Sequence, residues 1–262
     1  MLNSRVPDAW RPWITIVSVL AAITVNALAN IIPFNGQNTG QISDRFQIYF
    51  VPAGYVFSIW GVIYIGWLAF ALFQATTAQR QSPRLVRLGL WFALSNGLNA
   101  AWLFCWHYNQ FALSLAVMTA LLITLIVCYR RLGVGHVAVT RAERWCVDIP
   151  FGLYLGWISV ATIANAADVL FFIGWSGWGL APQLWTVLLL GTASVIGAAM
   201  AHRHGEIAFP LVLTWAFIGI AQRQSGPHGL PNAGLVITAA WIAAGLAVLL
   251  ALYGARRRHA TG

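Results

Sequence analysis

The sequence predicts an all-α polytopic membrane protein with about eight transmembrane helices. Three observations carry this. The 262 residues are 60% hydrophobic and only 8% charged, with a mean hydropathy of +0.73, where a water-facing domain carries roughly 25% charged residues. Apolar runs of about 20 residues, the length that crosses a bilayer core, recur along the whole chain. The few charges fall between those runs. A disordered chain, a coiled coil and an ordinary nucleic-acid-binding domain are excluded by the same numbers.

The runs lie near 12–33, 53–75, 86–107, 111–129, 149–172, 184–201, 207–223 and 232–254. They are long and show no alternation, so barrel strands of near ten residues do not fit. The first run leads into Asn26, Asn30 and Pro33 without a small-residue cleavage site, so a removed signal peptide is not expected.

All 15 basic residues are Arg, against 6 acidic ones, for a net charge of +9. With eight spans both termini share a side. Arg5, Arg11, Arg80, Arg84, Arg87, Arg130, Arg131, Arg141, Arg144, Arg203, Arg256, Arg257 and Arg258 then fall together, with only Arg45 and Arg223 opposite. That bias marks the first side as cytoplasmic and assigns the Arg to topology and to anionic headgroups; no nucleic acid is expected. A bacterial inner membrane is the expected location. Cys105, Cys128 and Cys146 form no CxxC and read as core thiols. The loop 34–52, with Asp44, Arg45, Tyr49 and Phe50, is either a lid over a pocket or plain surface.

The aromatic and polar residues inside the runs suggest a binding site. Trp60, Tyr64 and Trp67 are spaced by four and three and share a helical face, with Phe57 ahead of them. They pack between helices or wall an apolar pocket. Asn99, Trp102 and Trp106 share a face of the third run, which also holds Asn96. A carboxamide in hydrocarbon needs a partner, so these Asn point inward, with Asn26 and Asn30 in the same polar interior or pathway. The fifth run opens with Asp148 and Pro150 and carries a GxxxG step at Gly152 and Gly156, which permits close helix contact. Trp157, Ala161, Asn165 and Asp168 form one stripe along it. Asp168 is the carboxylate within a span, and such groups are either functional or hydrated near the interface. His202, His204 and Glu206 read as a surface turn, and His107 as no metal ligand. No metal site and no nucleophile–base arrangement appears, so no catalytic residue is assigned and an enzyme is not expected.

Three stretches resemble the TspO/MBR family of tryptophan-rich sensory or translocator proteins. They are PAGYVFSIWGVIY at Pro52–Tyr64, LNAAWLF at Leu98–Phe104, and PFGLYLGWISVATIAN at Pro150–Asn165. The resemblance covers roughly 12–172. It implies a five-helix bundle, placed here over 1–174; the three further apolar runs and the basic tail over 175–262 have no counterpart in that five-helix family and are read as an additional segment. It further implies a hydrophobic pocket whose candidates here are Phe57, Trp60, Tyr64, Asn99, Trp102, Trp157, Ala161 and Asn165. The expected guest is a flat, hydrophobic small molecule such as a porphyrin or haem-like ligand, with no cofactor required. The leading expectation is thus a membrane binding or sensory protein. A transporter using Asp168 and Asn165, or an accessory subunit of a larger membrane complex or homodimer, are the alternatives. Membrane lipid is the expected surrounding.

Overall fold

A computed structural model describes residues 10–261, and it is helical throughout, with no strand among the described residues. Eleven α-helices follow in order: α1 (Arg11–Ile31), α2 (Thr39–Ser43), α3 (Ile59–Ala75), α4 (Pro83–Leu88), α5 (Trp91–His107), α6 (Phe111–Leu132), α7 (Arg141–Glu143), α8 (Ile149–Phe172), α9 (Pro182–His204), α10 (Ala208–Ser225) and α11 (Gly234–Thr261). The eight long ones lie where the eight apolar runs were read. Six segments are long and apolar enough to cross a membrane: Arg11–Ile31, Gly54–Ala75, Phe111–Leu132, Arg141–Phe172, Pro182–His204 and Gly234–Arg258. The chain is an integral membrane protein. Arg5 lies outside the described residues.

Local signals explain the boundaries. Pro12 and Pro150 sit in first turns, where a missing N–H costs nothing. Helix α2 starts with a reciprocal capping box: Gln41 N–H donates to Asn38 Oδ1 and Asn38 N–H to Gln41 Oε1, both at 2.9 Å. The third apolar run is not continuous. Gly89, at φ 58°, ends α4 and separates it from α5, because only glycine enters that backbone region at little cost.

The long helices share two ends. At one, Arg11 donates to Gln74 and to the Arg80 carbonyl, both at 2.9 Å, Arg84 pairs with Asp148, and Tyr129 donates to Glu206 at 2.6 Å. Twelve described Arg gather here, so it is the arginine end. At the other, Asn35 donates to the His107 carbonyl at 3.0 Å, and Arg223 donates to Asp44 at 2.6 Å. Not every Arg meets the surface, which corrects the topology-only reading. Arg84 is buried, donating to the Leu132 carbonyl at 2.7 Å and pairing with Asp148 and, at 3.7 Å, with Glu143. Arg11 is buried too.

The interior is aromatic. Trp67, Tyr154, Phe70, Phe92 and Phe151 are fully or nearly fully buried, with Trp67 and Tyr154 centroids 4.9 Å apart and edge to face. The GxxxG step does what its spacing predicts, and its partner is α10. A Cβ on Gly156 would come 3.2 Å from Phe209 Cα, and one on Gly152 would come 2.6 Å from Glu206 Oε1. Helices α9, α10 and α11 pack on one another, and α10 packs on α8 and on the 3₁₀ turn Gly54–Ser58. There Ala53 N–H donates to the Gly219 carbonyl and Trp215 Nε1 to the Val56 carbonyl, both at 3.0 Å. Large apolar residues such as Ile65, Leu72, Val195 and Leu249 face outward, as a lipid solvent allows.

Candidate functional site

Helix α8 builds the site. Trp157, Val160, Ala161, Ala164, Asn165 and Asp168 recur at alternating steps of three and one, so they form one stripe, and all six line a single cavity. The facing wall is Trp60 from α3 and Phe57 from the turn before it. Trp102 and Trp106 of α5 and Met118 of α6 complete the sides. The roof is the loop between α1 and α3, through Thr39, Ser43 and Pro52. Loop 34–52 therefore covers this cavity, and is called the lid below.

The tryptophans are ordered by their neighbours. Trp157 stands edge to face against Phe57 and Trp60, with centroids 6.0 and 6.2 Å away. Trp102 stacks on Trp106 at 5.6 Å, and its Nε1 donates to Asn165 Oδ1 at 3.1 Å. Asn165 Nδ2 donates onward to Ser114 Oγ at 3.1 Å, so this carboxamide is committed to holding the wall. Two buried polar atoms of the lining have no partner: Asp168 Oδ1 and Trp157 Nε1. Both residues are 3% exposed. They offer an acceptor and a donor, in a cavity that has no basic side chain and no imidazole or thiolate among its lining residues.

The lid is strapped on both sides. His107 is fully buried, with Nε2 3.1 Å from Thr39 Oγ1 and Nδ1 3.3 Å from the Phe34 carbonyl. Arg45 donates to Asn109. Asp44 pairs with Arg223 of α10. Tyr49 Oη donates to the Pro231 carbonyl at 2.6 Å and accepts from Gln183 at 2.9 Å. Phe46 sits 5.0 Å, edge to face, from Phe111.

Of the residues expected in a pocket, Phe57, Trp60, Trp102, Trp157, Ala161 and Asn165 meet around this cavity, and so does Asp168. Tyr64 and Asn99 do not. Tyr64 lies one turn farther along α3, stacked on Trp60 at 5.6 Å. Asn99 is fully buried and accepts from Asn26 Nδ2 at 2.7 Å. Asn96 donates to Ser18 Oγ at 3.1 Å. These Asn join α1 to α5 and are outside the cavity. Asn30 leaves the polar interior altogether: it is exposed and donates to its own helix at the Asn26 carbonyl. Thr39, Ser43, Pro52, Trp106, Met118, Val160 and Ala164 had not been expected. Trp106 and the two α8 residues were findable from helical spacing; the lid residues were not.

The cavity volume is about 50 Å³. That admits a few waters, against roughly 300–1,000 Å³ for a pocket around a drug-sized molecule. His202, His204 and Glu206 do not converge: His202 faces Tyr253 Oη at 3.0 Å, and His204 faces the Val134 carbonyl at 3.0 Å. No cluster of three potential metal ligands occurs among the described residues.

A family model described as TSPO-like protein matches residues 12–253. The match runs past residue 172, where the recognisable motifs end, and through the last three helices. No curated protein and no solved structure matches the chain.

Proposed function

We propose, from the premise that the chain belongs to the TSPO-like protein family, that it binds a flat, hydrophobic small molecule under the lid, between the indoles of Trp60, Trp102 and Trp157. The observation that carries this reading is the convergence of three tryptophans from three helices on one lidded cavity. Aromatic faces give rigid contact area, and the unpartnered Asp168 Oδ1 and Trp157 Nε1 ask the guest for one donor and one acceptor.

A tetrapyrrole fits these walls in part. Its flat ring suits the indoles. Its carboxylates find no basic side chain among the lining residues, and a haem iron finds no imidazole or thiolate. The guest is accordingly a neutral or donor-bearing ring rather than haem, and the lid and walls move apart to admit it. Binding is favoured over transport by the buried aromatic layer of Trp67, Tyr154, Phe92 and Phe151, which fills the bundle between the cavity and the arginine end.

The same reading has α5 and α10 crossing the bilayer as well, for eight spans, with the arginine end cytoplasmic in a bacterial inner membrane. The bundle of residues 1–174 does the binding. The helices of 175–262 buttress it through Trp215 and Gly219 against the turn before α3.

The experiment is a titration of the purified protein in nanodiscs with protoporphyrin dimethyl ester and with its free diacid, read by Trp fluorescence. Saturable quenching by the ester is expected, tenfold or more weaker in Trp60→Ala and Trp157→Ala. Unsaturable quenching by the ester, a diacid that binds as tightly as the ester, or an ester curve left unchanged by both variants overturns the reading.

A further inference from the structure

A second cavity, of about 600 Å³, opens at the arginine end between α7, the start of α8, the start of α10 and the end of α11. Arg141, Arg144 and Arg258 line it together with Trp145, and its apolar side is made by residues including Ile149, Leu153 and Leu211. We propose that this groove holds one anionic phospholipid. Its phosphate lies against Arg141 and Arg144, and an acyl chain runs along Ile149, Leu153 and Leu211.

Charge complementarity is the first argument. Three guanidinium groups face the groove against one carboxylate, Glu206, and that carboxylate is already engaged. Its Oε1 accepts from the backbone N–H of Ile207 and Ala208 at 3.1 and 3.0 Å. Its Oε2 accepts from Tyr129 Oη at 2.6 Å and lies 3.6 Å from Arg258 Nη2. Arg141 and Arg144 are exposed. A phosphate between them would receive two guanidinium forks, the geometry arginine supplies best.

The backbone is the second. Residues Arg144–Asp148 form a π-helical turn, a rare conformation that concentrates at functional sites. It turns Val147 and Asp148 into the protein, Asp148 onto Arg84, and leaves Arg144 and Trp145 outward. Trp145, 60% exposed at the mouth, is the residue type that anchors at the headgroup level.

The third argument separates a lipid from a free phosphate. A soluble anion would use the arginines alone. Here the basic rim continues into an apolar wall, with Ile149 and Leu153 one turn apart on α8 and Leu211 half exposed on α10. Basic pockets between membrane helices take anionic headgroups in this way.

The test uses delipidated full-length protein in detergent and native mass measurement after adding phosphatidylglycerol or phosphatidylcholine of the same acyl chains. One phosphatidylglycerol retained at least tenfold more strongly than phosphatidylcholine is expected. Arg141→Gln with Arg144→Gln should lower retention by about 25-fold, at about fivefold per arginine, and the double Lys variant, which keeps the charge without the fork, should recover part of it. Leu153→Ala with Leu211→Ala should weaken long-chain phosphatidylglycerol several-fold. Equal retention of the two lipids, or unchanged retention in the double Gln variant, or a loss there that the double Lys variant does not recover at all, overturns the proposal. Displacement by inorganic phosphate as effective as by short-chain phosphatidylglycerol also overturns it, in favour of a free-anion site.

Discussion

The two ends of the bundle treat buried charge in opposite ways. At the arginine end both buried carboxylates among the described residues have partners: Asp148 holds Arg84, and Glu206 holds Tyr129, Arg258 and two backbone N–H groups. At the lid end Asp168 is as deeply buried, yet its Oδ1 has none. A charged or polar group taken from solvent without a partner destabilises the fold, whereas a well-paired one holds neighbouring elements in place. On the proposed function the difference separates architecture from site: the arginine end fixes how α4, α6, α8 and α10 meet, and the lid end would keep a polar atom in reserve for a guest.

The largest expected effect tests the paired end. Arg84→Ala leaves Asp148 buried without its partner and the Leu132 carbonyl without its donor. It should cost about 3–5 kcal/mol of stability, measured by thermal unfolding in detergent; a loss under 1 kcal/mol would erase the contrast. Gly156→Val pushes a side chain into the Phe209 backbone and should cost about 1–3 kcal/mol, sharpening the point that close α8–α10 contact is structural. Asp168→Leu should go the other way. Removing an unpartnered carboxyl for an apolar side chain is expected to stabilise by about 1 kcal/mol while weakening binding. The smallest effect is on the lid strap. Asp44 is half exposed, so Asp44→Asn should change stability by less than about 1 kcal/mol, yet speed ester exchange in stopped-flow quenching several-fold.

Helical periodicity made much of this visible. The stripe Trp157, Ala161, Asn165 and Asp168 could be read from spacing alone, because residues on one face of one helix stay together whatever the helix packs on. Tyr64 shows where that reasoning stops. It shares a face with Trp60 but sits one turn away in depth, and the cavity is shallower than the stripe. Asn99 shares a face with Trp102, yet its neighbour Asn26 lies 73 residues away, and no local pattern names it. The lid depends on longer links still: Asp44 meets Arg223 across 179 residues. Arg84 looked like one more positive-inside arginine because burial is a property of the packed helices around it. The six segments long and apolar enough to cross a membrane were readable because a bilayer imposes length and composition directly on the chain.

The most direct test of the central claim, that the lid-end cavity is the binding site and Asp168 is kept for its guest, is thermal unfolding of wild type and Asp168→Leu with and without protoporphyrin dimethyl ester. A ligand that binds only the folded state raises the melting temperature. Wild type should shift upward with the ester, and Asp168→Leu should melt higher than wild type without it and shift far less with it. An Asp168→Leu variant that melts lower than wild type yet shifts as much would contradict the account.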